Sequence, residues 1–344
     1  NINNNNNNNI IIINNNRCLP VLFSEGSNDP RSFSNLKNRS LPSVSAPEGF
    51  SAPEPKPLAL AENADTNRLT RNALAFVLRL GVGAFCLGWR IEGVGLVGNT
   101  SDNDRYRLEL GPIWIRDGTS VEFPKPPAQP LVLYEYDASP YCKRVREFLN
   151  LLDLTVEYRP CPGARQGGFS DELFAATGRR TVPYLYDPNT GEGLFESGDQ
   201  IEYLLRHYGP TDPSAFDRKA LWPITFEGFS VVTSALAALV TGMPGSRKRV
   251  DARPDNELML PLQLWGYESS PFVRCVRVLL GELCLPHTLV SCSRGSRNRD
   301  ELVARTGRFQ VPYLVDPNTG IELFESEDIC RYLEEVYTVV PASL

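Results

Sequence analysis

The chain of 344 residues is long enough for two or three domains and carries a formal net charge of −6. This mildly acidic balance argues against nucleic-acid binding, which needs a basic face. The eight cysteines form no CxxC pair and match no common zinc spacing, so we expect neither a disulfide scaffold nor a structural metal. His207 and His287 are the only histidines and neither has an evident catalytic partner, which disfavours hydrolase chemistry built on a Ser-His or Cys-His pair.

Residues 1–65 are predicted to be disordered. They open on a low-complexity run of Asn and Ile without an initiator Met, which indicates a fragment or a misplaced start, and then become rich in Ser with scattered Arg and Lys. A plastid or mitochondrial transit peptide has such a composition, and so does plain disorder. Composition alone leaves both interpretations open.

Residues 66–130 are predicted to hold a helix, a small hairpin and a Pro-rich linker. The apolar run Ala73–Trp89 is interrupted by Arg79, and a membrane span needs about twenty apolar residues. We therefore expect a packed helix, with interfacial attachment as the alternative. Alternating polar and apolar residues around Gly111 predict the hairpin. The linker PKPPAQP then leads into the first of two repeats.

Residues 131–209 and 262–338 are two copies of one block. Matching positions lie 131 residues apart near the start of the block and 129 apart near its end, so two residues are lost in a loop between them. Each copy predicts the order strand, helix, strand, helix, strand, strand, helix. Residues 210–261 form a linker whose apolar helix, Ser230–Met243, is too short to cross a bilayer. We therefore expect no transmembrane span.

The first helix of each copy begins at a Ser-Pro pair. Ser139 and Ser270 are predicted N-caps, each followed by a proline at the first helical position. Because the amides and dipole at a helix start favour negative charge, either hydroxyl could hold the thiolate of a substrate. Cys142 lies one turn into the first helix, and we expect it to be the most reactive thiol of the folded core. An ordinary helix cap explains an isolated Ser-Pro pair without any ligand.

Two further landmarks recur in both copies. A Val-Pro pair precedes the third strand, and a cis peptide bond there would present the valine backbone to a ligand. A Glu-Ser pair opens the last helix, whose amides suit a carboxylate while the Glu can pair with an ammonium group. Together these features offer sites for a small peptide that carries a thiol, amides and an amino-acid head group. The residues are Val182, Pro183, Glu196 and Ser197 in the first copy and Val311, Pro312, Glu325 and Ser326 in the second.

This pattern resembles the amino-terminal, glutathione-binding domain of glutathione transferases, and SPYC also resembles the CPYC site of glutaredoxins. SPFVRCVRVLL is similar to the plant tau-class pattern, in which the serine activates glutathione. The tandem arrangement resembles a plant and cyanobacterial family of double thioredoxin-fold proteins, many of them plastid-targeted. The resemblance implies an α/β protein with two tandem thioredoxin-fold domains, each a four-stranded mixed sheet with flanking helices. It also implies glutathione, or another thiol peptide, as ligand or substrate, and a plastid location with the cytoplasm as the alternative.

Two functional hypotheses follow from these residues. The first is a glutathione-dependent transferase or thiol oxidoreductase, in which Ser139 or Ser270 holds the thiolate and Cys142 forms a mixed disulfide. The second is a non-catalytic tandem module for glutathione sensing, protein contact or scaffolding. Binding is favoured because Ser139 stands where glutaredoxins have their first cysteine, and because we expect no long helical domain after either copy. The two head-group sites favour some use of glutathione.

Overall fold

The structure of the protein is a computed structural model, which describes residues 44–55, 65–98, 105–163, 167–254 and 259–339. Most of the predicted N-terminal segment, residues 1–43 and 56–64, lies outside these ranges. Within them, no single helix has the length and apolar composition needed to cross a membrane. One bent pair, Arg218–Thr225 with Glu227–Val240, meets that test by length and composition only.

One helix and a small antiparallel sheet precede the first repeat: α1 Thr66–Leu78, β1 Trp89–Leu96, β2 Leu108–Leu110 and β3 Ile113–Thr119. The strand order is β1-β3-β2, and Gly111 lies in the predicted turn between β2 and β3. The helix ends well before Trp89, because the chain turns at Leu80 and Gly81, which both have positive φ. The sequence pattern predicted the hairpin and missed β1.

The first repeat contains seven elements in the predicted order: β4 Leu131–Glu135, α2 Pro140–Leu151, β5 Val156–Pro160, α3 Ser170–Thr177, β6 Tyr184–Asp187, β7 Glu192–Leu194 and α4 Ser197–Tyr208. β4 pairs in parallel with β5 and antiparallel with β6, and β7 pairs antiparallel with β6. The four strands therefore form a mixed sheet in the order β5-β4-β6-β7.

Two short 3-10 helices, Pro213–Ala215 and Arg218–Leu221, and two α-helices, α5 Trp222–Thr225 and α6 Glu227–Val240, separate the repeats. The second repeat has the same succession of elements as the first: β8 Leu262–Gly266, α7 Pro271–Glu282, β9 His287–Ser291, α8 Asn298–Thr306, β10 Tyr313–Asp316, β11 Ile321–Phe324 and α9 Ser326–Tyr337. Its strands lie in the order β9-β8-β10-β11. Each repeat thus has the predicted thioredoxin-like arrangement.

Apolar side chains of α2 and α7 cover the sheet. The spacing i, i+3, i+4, i+7 predicts one buried face on each helix. All eight of these side chains are buried: Val145, Phe148, Leu149, Leu152, Val276, Leu279, Leu280 and Leu283. They belong to one apolar core that contains residues of both repeats. The two repeats therefore share this apolar core and are not two domains joined only by a linker.

The sheets of the two repeats are joined edge to edge. β5 and β9 pair antiparallel, with Val156 opposite Leu289 and Tyr158 opposite His287. The result is one eight-stranded sheet in the order β11-β10-β8-β9-β5-β4-β6-β7. This pairing satisfies the backbone groups of two edge strands that would otherwise be open to other chains.

Charged side chains of α2 and α7 meet where the repeats join. Arg146 contacts Glu135 of its own repeat, and its Nε lies 3.1 Å from an oxygen of Glu268 in the other repeat. Arg277 lies 2.5 Å from Asp137 of the other repeat and 3.3 Å from Glu268 of its own. The offset of 131 residues relates Arg146 to Arg277 and Asp137 to Glu268, so these contacts have approximate two-fold symmetry. We call these five residues the inter-repeat ion cluster.

Glu268 and Asp137 of the inter-repeat ion cluster are buried and remain charged, whereas burial raises the pKa of Glu135. Burial alone would raise the pKa of Glu268, but the two cluster arginines hold it at about 2. The same opposition between burial and nearby arginines lowers the pKa of Asp137 well below its usual value. Lys143 and Arg274 add contacts to Glu268 at 3.2 Å and to Asp137 at 2.8 Å. Cations of each repeat therefore neutralise carboxylates of the other.

Candidate functional site

The three predicted segments of each repeat converge at one end of its sheet. β4 and β6 are antiparallel, with Tyr134 opposite Tyr184, so the end of β4 lies beside the start of β6. β7 is antiparallel to β6, which brings the start of α4 to the same end. Ser139, Pro183 and Glu196 therefore lie at one end of the sheet. β8, β10 and β11 produce the same arrangement in the second repeat.

Ser139 and Ser270 are the N-caps of α2 and α7, as the Ser-Pro pattern predicts. The Oγ of Ser139 accepts a hydrogen bond from the Cys142 amide at 3.2 Å, and the Oγ of Ser270 accepts one from the Val273 amide at 3.4 Å. Each hydroxyl still has a proton that it can donate to a ligand. Both serines are only 3% exposed, so little of either hydroxyl is open to a ligand.

The chain that follows α6 narrows the approach to Ser139. The Ala138 amide donates a hydrogen bond to the Pro244 carbonyl at 3.0 Å, directly before the N-cap. Gly245 has positive φ, and a Cβ at that position would lie 3.1 Å from the Asp137 amide nitrogen. This close approach requires glycine. The sequence pattern missed the contact because it depends on tertiary folding of a linker.

Cys142 occupies the predicted helix position, but the expectation that it is the most reactive thiol lacks its physical basis. The Cys142 side chain faces the core and has no exposed surface. Burial raises its pKa to about 12, which outweighs the favourable helix start. The sequence pattern correctly places Cys142 in the first turn of α2, but it does not indicate that the thiol lies on the buried face of the helix.

We expect Cys142 to resist alkylation in the folded protein, because a thiol with a raised pKa and no exposed surface offers almost no thiolate to a reagent. Cys284 and Cys330, which retain slight exposure, should label at least as fast. Time-resolved iodoacetamide labelling with peptide mass spectrometry measures these rates. The denatured protein serves as the control, where the differences should disappear. Preferential labelling of native Cys142 would contradict this expectation.

Both predicted Val-Pro peptide bonds, Val182-Pro183 and Val311-Pro312, are cis. In the first repeat, Gln200 of α4 ties this loop to the end of β7. Its Nε2 donates hydrogen bonds to the carbonyls of Pro183 at 3.0 Å and Leu194 at 2.9 Å. Ile329 stands at the matching position of the second repeat and cannot donate these bonds. The sequence shows that Gln200 and Ile329 differ between the two copies, but it does not show the hydrogen bonds that Gln200 makes.

The Glu-Ser pairs lie at helix starts, as predicted. Glu196 and Glu325 are the N-cap residues of α4 and α9, and both have positive φ, 47° and 68°. A non-glycine residue at such φ is strained, and strain of this kind is concentrated at ligand-binding positions. The first amides of each helix have no partner within the helix and are therefore available to an anion.

The two head-group positions differ in their surroundings. The Nε2 of Gln310 donates a hydrogen bond to the Glu325 carboxylate at 2.6 Å, so this carboxylate is already held. Glu196 is exposed, and no partner of its carboxylate is recorded within the described ranges. The first repeat therefore offers the more available carboxylate.

A buried arginine supports the first head-group site. Nη1 of Arg144 donates a hydrogen bond to the Ser197 hydroxyl at 3.3 Å, and its other nitrogens bond the carbonyls of Ile224 and Thr225. The cation adds positive potential to the amides at the start of α4. Cys275 stands at the matching position of α7, so no arginine of that helix contacts Ser326. No motif identified Arg144, because its partners lie on a distant segment.

A cavity of about 450 Å³ lies beside α7 and α9 rather than at the three predicted segments. Its walls include Arg68 and Glu327, whose side chains form an ion pair at 2.7 Å, and the thiols of Cys275 and Cys330. Ser270 and Pro312 do not line it. In the parts of the chain that the structure describes, no group of three or more His, Cys, Asp or Glu is placed to hold a metal ion.

Comparisons with known proteins identify the repeats. Residues 133–212 and 264–339 each match the family model of the glutathione S-transferase N-terminal domain. A glutathione S-transferase-like protein of Aspergillus terreus is 33% identical over 79 residues, which are 23% of this chain and 34% of that protein. A glutathione S-transferase of Hypomyces subiculosus is 36% identical over 76 residues, or 22% of this chain and 35% of that protein.

The chain spans about a third of the length of the curated relatives it matches. A solved glutathione transferase of Bombyx mori in complex with GTT aligns at 26% identity with a TM-score of 0.22, covering 26% of this chain and 44% of that structure. Both matched regions contain the strand and helix order described above. The chain thus carries, in tandem, two glutathione S-transferase N-terminal-like domains with the thioredoxin-like fold.

Proposed function

We propose that the protein binds glutathione, and that the first repeat is the principal site. The observation that carries this proposal is the convergence of the Ser-Pro helix start, the cis Val-Pro bond and the Glu-Ser helix start at one end of the sheet. These groups complement the three chemical parts of a thiol tripeptide. The relatives that match a stretch about as long as one repeat are named as a glutathione S-transferase-like protein and a glutathione S-transferase, which supports the same ligand.

Each part of the ligand has a counterpart in the first repeat. The Glu196 carboxylate would pair with the ammonium group, while the α4 amides and the Ser197 hydroxyl would hold the adjacent carboxylate. Arg144 strengthens this second contact through the same hydroxyl. The Val182 backbone would bond the peptide amides, which leaves the thiol directed toward the start of α2 and Ser139.

The second repeat is expected to bind more weakly. The Gln310 amide already donates a hydrogen bond to one oxygen of the Glu325 carboxylate. That carboxylate is therefore already partly compensated and is expected to gain less from an ammonium group than Glu196 does. Cys275 in place of Arg144 also removes the arginine contact to the head-group serine, and Arg68, the cation near the start of α9, is already paired with Glu327.

Replacing Glu196 with Ala is expected to weaken glutathione binding by roughly ten- to a hundredfold, because a charge-assisted contact contributes about 1.5–3 kcal/mol. Glu325→Ala should have a smaller effect. Folding should change little, since an exposed carboxylate at a helix start contributes about 0.3–1 kcal/mol. Calorimetric titration of both variants and the double variant measures the affinities.

Glu192→Ala is the matched control for this titration. Glu192 is an exposed carboxylate at the far end of the same β6–β7 hairpin, so its loss should leave the affinity unchanged. Parent-like binding by the double variant, or no binding by the parent at millimolar glutathione, would replace the glutathione proposal with a scaffold role.

Transferase chemistry and non-catalytic binding are the two candidate roles of this site. In a transferase, the Ser139 hydroxyl would donate a hydrogen bond to the glutathione thiolate and lower its pKa. The burial of Ser139 and Ser270 favours the non-catalytic module, and the burial of Cys142 argues against dithiol exchange. Conjugation of glutathione to an aryl halide, with Ser139→Ala as the test variant, distinguishes them. A transferase requires turnover that falls in the variant, whereas a binding module gives none.

The proposal also includes where the protein is located in the cell. Membership in the plant and cyanobacterial tandem family, with plastid targeting by residues 1–65, is the setting that the sequence pattern favours. Fusion of residues 1–65 to a fluorescent reporter tests the targeting. Uniform cytoplasmic fluorescence would support the alternative location.

A further inference from the structure

Helix α6 buries small side chains and exposes large apolar ones, the reverse of the usual arrangement. It buries small residues, Ser230, Ser234, Ala237 and Ala238, against the body of the protein. It exposes Val232 by 58%, Leu236 by 45% and Leu239 by 62%, and Met243 just beyond its end is also exposed. A surface helix of a monomer normally turns its large apolar side chains inward.

Helix α1 shows the same inversion in its second half. It buries Leu69 in its first turn and then Asn72 and Ala75, while Leu74, Val77 and the following Leu80 are exposed. Each of these three is close to half exposed or more. Helices α1 and α6, which both lie outside the transferase-like repeats, therefore share this arrangement.

The two helices pack antiparallel, which places their outer sides on one surface. Near the end of α1, Arg79 donates a hydrogen bond to Thr233 in the first half of α6 at 2.6 Å. At the other end, Arg274 bonds both Asn72 of α1 and Thr241 at the end of α6. Small residues between the helices permit this close contact. We call the exposed set the α1–α6 face: Leu74, Val77, Leu80, Val232, Leu236, Leu239 and Met243.

The spacing on the α1–α6 face suits packing against other helices. Val232, Leu236, Leu239 and Met243 follow intervals of four, three and four residues, which is the seam of interlocking helices. On α6, no charged residue occurs between Glu227 and Arg247, so covering that half of the surface buries no charge; on α1, exposed Arg71 lies one turn before Leu74 at the edge of the surface. A surface of this kind is complementary to itself.

The apolar area of the α1–α6 face is also large enough for an interface between two copies of the chain. Seven large apolar side chains at these exposures present on the order of 700 Å² per copy, above the usual size of an apolar patch on a monomer. Two such faces would bury roughly 1,400 Å², which lies within the range of specific interfaces. A membrane-bound helix instead carries Lys and Arg on its polar side, whereas the opposite sides of α1 and α6 are buried against the protein.

We propose that two copies of the chain associate through the α1–α6 face, so that α1 and α6 of each copy form a four-helix layer across a two-fold axis. This association is independent of the proposed glutathione site, because none of its seven residues belongs to that site. It uses the chain outside the two matched domains.

Leu239→Asp tests the proposal on the full chain by light scattering coupled to size exclusion and by sedimentation velocity. The parent is expected to be a dimer, and the variant to dissociate at least a hundredfold more readily, since two like charges would face each other across the axis. Leu96→Asp on β1 is the matched control, because Leu96 is equally exposed, at 60%, on a different apolar surface. It should leave the dimer intact, and circular dichroism should show both variants folded.

Three results would overturn the proposal. The first is a parent that stays monomeric up to about 100 μM, well above the Kd of a specific interface. The second is dissociation by Leu96→Asp and not by Leu239→Asp, which would place the interface on the small sheet. The third is a monomeric parent that floats with phosphatidylcholine–phosphatidylglycerol vesicles and loses flotation in Leu239→Asp, which would assign the face to a lipid surface.

Discussion

Arg146→Met is expected to lower the free energy of unfolding by about 3–5 kcal/mol, which would be the largest effect of any single substitution discussed for this protein. The Arg146 guanidinium contacts Glu135 and Glu268, and Asp137 lies 3.5 Å away. All three carboxylates are buried. Removing the cation leaves negative charges together in a region that water does not reach. Chemical denaturation followed by circular dichroism measures the loss.

Arg218→Met is the control for this measurement. Arg218 pairs with Glu202, but both side chains are more than half exposed, and such pairs contribute little. We expect its midpoint of denaturation to stay close to that of the parent. If Arg146→Met were as stable as Arg218→Met, the inter-repeat ion cluster would not hold the repeats together, and the joint would depend on the shared core and on strand pairing.

His287→Phe is expected to change how stability depends on pH. Burial lowers the pKa of His287 to about 4, and Arg277 and Arg146 act in the same direction. Nδ1 lies 3.0 Å from the Leu285 carbonyl oxygen, which can only accept, so Nδ1 carries the proton of the neutral ring. Nε2 is buried and has no hydrogen-bond partner among the described residues, so a second proton placed there would have no acceptor.

The direction of the effect follows from proton binding. The unfolded chain has the ordinary histidine pKa of 6.5, so it binds more protons than the folded protein between pH 6.5 and about 4. His287 therefore costs the parent progressively more stability as the pH falls through this range, by about 3 kcal/mol in total. The stability of His287→Phe relative to the parent should rise by that amount between pH 7 and pH 4.

The comparison between variant and parent is essential. Burial raises the pKa of Asp153 to about 6, so the folded protein binds the extra proton there and gains stability as the pH falls. This opposes His287 over nearly the same range, and the parent alone can appear insensitive to pH. Urea denaturation of both proteins at half-unit pH steps isolates the histidine. Parallel curves for the two proteins would show that His287 titrates normally.

The fold of each repeat could be predicted because its signals are local. The Ser-Pro caps at Ser139 and Ser270 mark helix starts, and the apolar spacing behind them marks the faces that are buried. The Val-Pro pairs mark the start of the third strand, and the Glu-Ser pairs mark the start of the last helix. Each of these signals depends on a few neighbouring residues, whose backbone preferences act whatever surrounds them.

The joint between the repeats could not be predicted, because its determinants are far apart in sequence. β5 and β9 read as ordinary strands, and nothing in either indicates that the other lies beside it. Arg146 and Arg277 read as solvated positions on amphipathic helices, since a charged residue is rarely buried without partners. Their partners, Asp137 and Glu268, follow strands of the opposite repeat.

The sequence predicts where the candidate site residues lie in the fold, but it does not predict which other segments cover them. Ser139, Pro183 and Glu196 lie at the same end of the sheet because sheet topology requires it. Their exposure depends on other segments, such as the chain after α6 that covers the N-cap. Cys142 was misjudged for the same reason, since a helix position fixes direction only after the packing partner is known.

The edge-to-edge sheet with its two-fold ion cluster is the geometry of a homodimer contained in one chain. In a single-repeat ancestor, one arginine would pair with an acid of its own subunit and with the same acid of the partner. Fusion makes the local concentration of the second half permanent and frees the two copies to differ. They have done so at the head-group sites, where Arg144 and Gln200 in one copy correspond to Cys275 and Ile329 in the other. The first repeat can therefore specialise in the proposed ligand site, while the second contributes the shared sheet and core that stabilise it.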